Sequence, residues 1–267
     1  MKRKPAVAGK FYPQDPDALL RNVKSHTPKV GRKVRAIGIV VPHAGFFYSG
    51  DVAGSVYAKI EILDTVVLLG PNHTGRGPLV SLMLKGIWDM PAGEIGIDAL
   101  LARSIFEASP LVEADVVAHQ NEHSLETQIP FIQYFRKDFK IVPICLKKIS
   151  LDNCRILSEA IMAGLKKLKR TALIVASSDM THYESHESAS KKDNLAIAQI
   201  LKRNPEGLFH TVQENQISMC GVVPATVMLM TGNQLGAEKA KLIQYMTSGQ
   251  VSGRMDHVVG YAGMIIQ

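Results

Sequence analysis

The sequence predicts an α/β fold: a single three-layer domain over residues 1–267 with a mostly parallel central sheet. Apolar runs rich in Val and Ile alternate with segments of helical spacing, as in βαβ units. Hydrophobic residues make up 46% of the 267 residues, which is enough for a sizeable core. Neither a Pro/Gly/Ser-rich linker nor an internal repeat divides the chain, so we expect one domain.

Up to residue 146 the two element types alternate. We predict strands over residues 34–41, 65–69, 80–84 and 140–146, and helices over residues 49–59, 98–108 and 124–135. The side chain of Asp98 is a suitable N-cap for the second of these helices. Pro130 lacks an amide hydrogen within the third, so we expect a kink there.

After residue 146 the alternation continues. We predict helices over residues 151–168, 188–202, 205–214 and 222–230, and strands over residues 171–176, 241–248 and 258–266. The last two strands are separated by a short segment that contains Gly249 and Gly253. Such a segment favours a turn, so we expect these two strands to pair antiparallel.

The net charge of +7 does not by itself indicate nucleic-acid binding. The largest basic cluster, residues 166–170, ends a predicted helix, where cations interact favourably with the helix dipole. No basic stripe interleaved with aromatic residues accompanies it. No apolar run is long enough to span a bilayer, and the residues after Met1 form no signal core. We therefore expect a cytoplasmic protein without nucleic-acid or membrane partners.

Several common motifs are excluded. Gly75 ends a G-x-x-x-x-G pattern, but Arg76 follows it instead of the Lys-Ser/Thr of a phosphate-binding loop. The sequence contains neither a G-x-S-x-G nucleophile motif nor H-E-x-x-H. Cys145, Cys154 and Cys220 have unrelated spacings, so we expect neither a disulfide framework nor a zinc knuckle.

Polar side chains that suit metal binding or proton transfer occur where strand-like runs break into turns. They are His43, His73, His119, His123, His182 and Cys220. Open α/β sheets form their ligand sites at the carboxyl ends of strands. Imidazoles and a thiolate from several strand ends are typical ligands of a metal ion. The sequence therefore predicts one cleft, to which His43 and His73 contribute at neighbouring strand ends.

Each of these residues also has a structural explanation. His43 fits a hydrogen-bonded residue at a strand end, and His123 fits a cluster that caps a helix. Asp179 and His182 form an Asp-x-x-His pair, which can act as ligands or as an oriented general base, while Asp179 can also cap a helix. Cys220 fits a small buried apolar residue. The remaining histidines are expected to be surface or structural residues: His26, His119, His186, His210 and His257.

Six short motifs, in order along almost the whole chain, resemble the Memo family, whose prokaryotic members are called AmmeMemoRadiSam system protein B. They are Ala8-Gly9-Lys10-Phe11-Tyr12-Pro13, Pro42-His43-Ala44-Gly45-Phe46-Phe47-Tyr48-Ser49-Gly50, Leu69-Gly70-Pro71-Asn72-His73, Glu122-His123-Ser124-Leu125-Glu126, Ser177-Ser178-Asp179-Met180-Thr181-His182-Tyr183 and Met219-Cys220-Gly221. The resemblance implies a fold like that of the class III extradiol dioxygenases.

The resemblance also implies a metal site. Its ligands would be His43, His73 and Cys220, and its metal would be iron or copper. Asp179, His182 and His123 would line the same pocket and take the catalytic roles. Those dioxygenases hold Fe(II) with two histidines and a carboxylate, so a thiolate shifts the preference towards Cu(I), iron or zinc.

Two functions of different classes follow. The first is a metal-dependent oxidoreductase. The second is a non-enzymatic protein that binds a peptide or a small ligand in a pocket inherited from an enzyme, with Phe46, Phe47 and Tyr48 contributing to recognition. The prokaryotic family name implies an association with a radical-SAM protein. A neighbouring His or metal ion would lower the pKa of the Cys220 thiol, which would make it the most reactive of the three thiols.

Overall fold

The computed structural model describes residues 1–267 as an α/β fold. The strands are β1 (Lys2–Arg3), β2 (Gly38–Val41), β3 (Thr65–Pro71), β4 (Val80–Leu82), β5 (Ile87–Met90), β6 (Gly93–Gly96), β7 (Glu113–Ala114), β8 (Lys140–Leu146), β9 (Leu173–Ser177), β10 (His182–Glu184), β11 (Ala240–Thr247) and β12 (Val258–Ile266). The α-helices are α1 (Pro16–Ser25), α2 (Phe46–Lys59), α3 (Ala99–Ala108), α4 (Ile129–Phe135), α5 (Leu151–Leu168), α6 (His186–Leu201), α7 (Pro205–Glu214), α8 (Val222–Gln234) and α9 (Gly249–Ser252).

The main sheet has nine strands in the order β10-β12-β2-β9-β3-β8-β4-β7, with β11 also paired to β12. Its four central strands, β2, β9, β3 and β8, are parallel. Strands β10, β11 and β2 pair antiparallel with β12, and β4 pairs antiparallel with β8. The prediction of a mostly parallel sheet is therefore not confirmed: the sheet is mixed. The outer strands can pair antiparallel because such pairs need no crossover helix.

Helices cover the central strands on both faces. Every residue of β2, β3 and β9 is buried, as expected for strands without a solvated face. In one group of helices, α1 and α2 both pack on α4. In the other, α3, α5, α8, α7 and α6 pack in this order, each on the next. A core of 71 buried residues extends from Val7 to Ile266. None of the helices combines the length and the apolar character needed to cross a membrane.

Several predicted elements are confirmed with their bounds, among them β8, α5, α7 and β12. Asp98 caps α3 by accepting a hydrogen bond from the Leu101 amide. Strands β11 and β12 pair antiparallel, as predicted. The predicted helix over residues 124–135 is wrong in its first part, where a 3-10 turn (Glu126–Gln128) precedes α4. Pro130 lies in the first turn of α4, where its missing amide hydrogen is no loss, so it causes no kink.

The amino-terminal region forms structure that the sequence patterns did not predict. Strand β1 joins β5 and β6 in a second, three-stranded sheet. Helix α1 begins after Asp15, which accepts a hydrogen bond from the Ala18 amide, and Pro16 occupies its first turn. Strand β1 brings Arg3 into the interior, beneath the turns described next.

Candidate metal centre

His43 lies in the short turn between β2 and α2. Its backbone amide donates to Oδ1 of Asp179, which follows β9, at 2.8 Å. Because β2 and β9 are neighbouring parallel strands, their carboxyl ends bring these two turns together. The imidazole of His43 is 2% exposed and lies at the bottom of the site.

Hydrogen bonds determine which ring nitrogen of His43 carries the proton. Its Nδ1 lies 2.8 Å from Oγ of Ser177, which also accepts from Nε2 of Gln128 at 2.8 Å. The only hydroxyl proton of Ser177 is donated to the Ser124 carbonyl at 2.6 Å. Ser177 must therefore accept from His43, which places the proton on Nδ1 and leaves the lone pair of Nε2 free. Burial, together with the neighbouring His73 and His123, holds the pKa of His43 well below its usual value.

His73 lies in the turn after β3 and is oriented by Glu122. Its backbone amide donates to Oε2 of Glu122 at 2.6 Å, and its Nδ1 lies 2.9 Å from Oε1. An ionised carboxylate only accepts hydrogen bonds, so Nδ1 carries the proton and Nε2 presents its lone pair. The turn itself is formed by Asn72, whose side-chain oxygen accepts from Thr74 and from the Gly75 amide.

His123 completes a group of three imidazoles with His43 and His73. One ring nitrogen from each lies within 4.8 Å of those of the other two, which is close enough for all three to hold one metal ion. The ring of His123 stacks on that of His73 with a centroid distance of 4.5 Å, and that of His43 lies 5.2 Å from His73. The sequence placed His123 in this pocket as a catalytic residue; the structure places it where it can also act as a ligand.

Cys220 lies beside this group, two residues before α8, and is not one of its members. Its Sγ is 3.2 Å from Nε2 of His43 and 3.3 Å from the Asp179 amide nitrogen. Burial raises the pKa of the Cys220 thiol, and the Asp179 carboxylate raises it further. The expectation of a lowered pKa is therefore wrong for the metal-free chain, because the neutral His43 provides no positive charge to stabilise a thiolate.

The two residues of the Asp-x-x-His pair have different positions. Oδ2 of Asp179 lies 4.0 Å from Nε2 of His43, and burial raises the pKa of the Asp179 carboxyl. His182 is partly exposed, and its Nδ1 lies 3.0 Å from the Ser218 carbonyl. Asp179 therefore borders the imidazole group directly, whereas His182 lies in β10, held against the segment that leads to Cys220.

Glu122 is a site residue that the sequence analysis did not single out. It is 1% exposed and accepts hydrogen bonds from the amides of His73, His123 and Ser124. Burial tends to raise its pKa, but the hydrogen bond and charge of His73, together with the Ser124 amide, outweigh burial and lower the pKa to about 2. In the sequence, only its position next to His123 indicated a role in the site. A role in capping a helix explains the same position.

A buried ion pair supports the turn that carries Glu122 and His123. Nη1 of Arg3 donates to Oε2 of Glu126 at 2.7 Å, and both side chains are almost fully buried. Arg3 also donates to the backbone carbonyls of His119 and Glu122, each at 2.7 Å. Glu126 further accepts from the hydroxyl of Tyr12 at 2.6 Å. The amino-terminal strand thus fixes the turn on which two site residues lie.

His119 was expected to be either a surface or a structural residue, and it is a buried structural residue. It is 0% exposed, its Nε2 lies 3.2 Å from the Ser81 carbonyl, and its Nδ1 lies 3.4 Å from Sγ of Cys145. Burial lowers its pKa to about 4. His119 is not part of the imidazole group, so its contribution is to hold the turn before Glu122.

Comparison with known proteins decides the family. The model of the family described as "Memo-like protein" matches residues 3–265. The chain belongs to the Memo family. Full-length Memo family relatives support this assignment. The MEMO1 family protein of Methanopyrus kandleri is 38% identical over 281 aligned positions, which cover 100% of this chain and 99% of that protein. The one of Ignicoccus hospitalis is 41% identical, with 98% and 97% covered, and the one of Methanocaldococcus jannaschii is 40% identical, with 99% of each covered.

Proposed function

We propose that this Memo family chain binds a redox-active metal ion, iron or copper, and acts as a metal-dependent oxidoreductase. The ligands are His43, His73 and Cys220, with His123 as a further donor. The observation that carries the proposal is the group of three imidazoles whose ring nitrogens lie within 4.8 Å of one another, with Sγ of Cys220 at 3.2 Å from His43.

The donor set fits such an ion. Hydrogen bonds to Ser177 and Glu122 leave lone pairs on Nε2 of His43 and His73, and neutral imidazole is the form that binds metals. A thiolate is a soft ligand, which together with imidazole suits iron, Cu(I) and zinc more than hard cations. The raised pKa of Cys220 means that metal binding must release its proton, so affinity should increase with pH.

When bound, the ion would supply one-electron chemistry, and this chain's residues would manage protons around it. Asp179 is suited to hold a proton because burial raises the pKa of its carboxyl beside His43. His182 is partly exposed, and its Nδ1 lies 3.0 Å from the Ser218 carbonyl. We assign catalytic roles to Asp179, His182 and His123 as part of this proposal.

The proposal includes a fold related to that of the class III extradiol dioxygenases. Its support is the placement of His43, His73 and Asp179 after the central parallel strands β2, β3 and β9. Dioxygenase activity does not follow from this relationship, because a site with a thiolate in place of a carboxylate has different chemistry and one fold hosts many functions.

Metal titration tests the proposal. Purified protein, stripped with a chelator, is titrated anaerobically with Fe(II), Cu(I) and Zn(II), together with a His43→Ala/His73→Ala variant. We expect the variant to lose tight binding while retaining its fold. A His210→Ala/His257→Ala variant, which removes two exposed histidines, is the control and should bind as wild type. Unchanged affinity in the first variant would overturn the proposal.

A further inference from the structure

A cavity of about 560 Å³ opens beside the candidate metal centre. We call it the side pocket. It lies at the carboxyl ends of β3 and β8, and α7 and the segment leading into α8 form its other walls. His73 and Cys220 lie on its lining. Its volume is within the range of pockets that bind small organic molecules, roughly 300 to 1,000 Å³.

Part of the wall of the side pocket is apolar. Half of its 18 lining residues are hydrophobic. Phe209 and Val212 come from α7, Ile217 from the following loop, and Val222 and Val223 from the first turn of α8. Such walls favour an apolar body, since burying apolar surface is the main source of affinity in cavities of this kind.

The acidic and basic side chains that line the side pocket are unequal in number. Its lining contains Lys147 and Lys148 and no Asp or Glu. Neither ammonium group has a carboxylate within ion-pair distance. Lys147 is half-buried and Lys148 is exposed, whereas the half-buried Lys192 elsewhere in the chain pairs with Glu184 at 2.6 Å. The side pocket therefore presents uncompensated positive charge next to an apolar wall.

We propose that the side pocket binds a small organic anion with an apolar body, whose carboxylate or phosphate pairs with Lys147 and Lys148. This anion would be the substrate of the metal centre, and that part of the proposal rests on the proposed function. Binding of the anion itself requires only the pocket. A ligand in this position would lie beside His73 and Cys220, so part of it would face the metal ligands.

A matched pair of fluorescent probes tests the proposal on metal-free, full-length protein. The anionic probe is 8-anilinonaphthalene-1-sulfonate, and the neutral probe is N-phenyl-1-naphthylamine, which has the same rings without the sulfonate. The variant is Lys147→Gln/Lys148→Gln. The control is Lys24→Gln/Lys29→Gln, which removes two exposed lysines in and after α1, on the other face of the sheet.

We expect saturable binding of one anionic probe per chain and about tenfold weaker binding in the Lys147→Gln/Lys148→Gln variant, which corresponds to about 1.4 kcal/mol shared by two partly exposed ion pairs. The neutral probe should bind both proteins equally, and the control variant should bind both probes as wild type. Salt should weaken the anionic probe more in wild type than in the variant. Equal affinity of the anionic probe for wild type and variant would overturn the proposal.

Competition identifies the ligand chemistry. Phenylacetate and phenyl phosphate should each displace the anionic probe, and the more effective one indicates whether the site prefers a carboxylate or a phosphate. Displacement by a phosphotyrosine peptide but by neither small anion would overturn the proposal in favour of a peptide site. Metal titration of the same protein is an independent measurement. Probe binding without metal binding would reject the proposed function but retain the anion site in the side pocket. Metal binding without probe binding would reject the anion site but retain the proposed function.

Discussion

Sγ of Cys220 lies 3.2 Å from Nε2 of His43, although 177 residues separate them in the chain. The end of β9 connects the two. The Asp179 side chain accepts from the His43 amide at 2.8 Å, while the Asp179 amide lies 3.3 Å from Cys220 Sγ. The end of β9 therefore positions the imidazole of His43 against the thiol of Cys220. Substitutions at this strand end should alter metal binding even though they replace no metal ligand.

Ser177→Ala should weaken metal binding, because it removes the group that accepts the Nδ1 proton of His43. Loss of such a hydrogen bond to a ligating histidine lowers metal affinity by roughly 10- to 100-fold. The measurement is Zn(II) affinity by competition with a chromophoric chelator. Ser158→Ala is the control, since Ser158 is also buried but lies in α5 and bonds to Arg155 and Gln234. Equal affinity for Zn(II) in Ser177→Ala and wild type would show that Ser177 does not orient His43.

Gly221→Ala should displace Cys220. A Cβ atom at this position would lie 2.3 Å from Cβ of Ser178 and 2.4 Å from the backbone oxygen of Ser177, so the backbone must move. We expect a stability loss of about 1 to 3 kcal/mol, typical of overpacking, and weaker metal binding.

Gly232→Ala, within α8, the helix that begins directly after Gly221, is the control for this substitution. The nearest atom to a Cβ there lies at 3.7 Å, which is ordinary contact. Replacing a helical glycine by alanine stabilises a helix by up to about 1 kcal/mol. Urea denaturation and metal titration of both variants give the comparison, and a Gly221→Ala protein that binds metal as wild type would contradict the proposed placement of Cys220.

Arg3→Met should destabilise the protein by about 3 to 5 kcal/mol, because it leaves the buried Glu126 carboxylate without its partner. Adding Glu126→Gln to Arg3→Met should recover part of this loss, since the buried charge is then removed. Arg103→Met, which breaks an exposed pair with Glu107, is the control and should leave stability close to that of wild type, because solvent screens the pair. Urea denaturation checks all three, and a double variant as unstable as Arg3→Met would argue that Arg3 acts through its backbone contacts instead.

Glu122 should make stability depend on acid. Its folded pKa of about 2 lies below its ordinary value of 4.5, so its ionised form stabilises the folded state above pH 4.5 and this contribution is lost as the pH falls towards 2. A difference of 2.5 pKa units corresponds to about 3 kcal/mol. The difference in unfolding free energy between wild type and Glu122→Gln should therefore shrink by about this amount between pH 5 and pH 2. A difference that stays constant over this range would contradict the low pKa.

Hydrophobic spacing and capping residues predicted the helices whose ends depend on neighbouring residues in the sequence. Helices α5 and α7 have apolar residues at helical spacing and capping residues Ser150 and Asn204 at their starts, and their bounds are as predicted. The 3-10 turn at residues 126–128 was missed because Glu126 is held there by Arg3, 123 positions away, and no local pattern reports that contact. The mixed sheet was missed for a related reason, because strand direction at the edges depends on pairing and not on composition.

The candidate site was predictable only in part. His43 and His73 follow buried strands, so their common position follows from the rule for strand ends in α/β sheets. His123 and Cys220 follow helical and loop segments, and their position beside the other two depends on the packing of the whole chain. The role of Glu122 could not be separated from helix capping, because an acidic residue before a helical segment has a sufficient local explanation.

The most direct measurement of the central claim is X-ray absorption spectroscopy at the zinc edge, on protein loaded with one equivalent of Zn(II). We expect imidazole nitrogen at about 2.0 to 2.1 Å and one sulfur at about 2.3 Å from the zinc ion. The sulfur should be lost in Cys220→Ser, and the imidazole signal should be reduced in His43→Ala/His73→Ala. A wild-type spectrum without sulfur, or spectra unchanged in both variants, would contradict a metal centre formed by His43, His73 and Cys220.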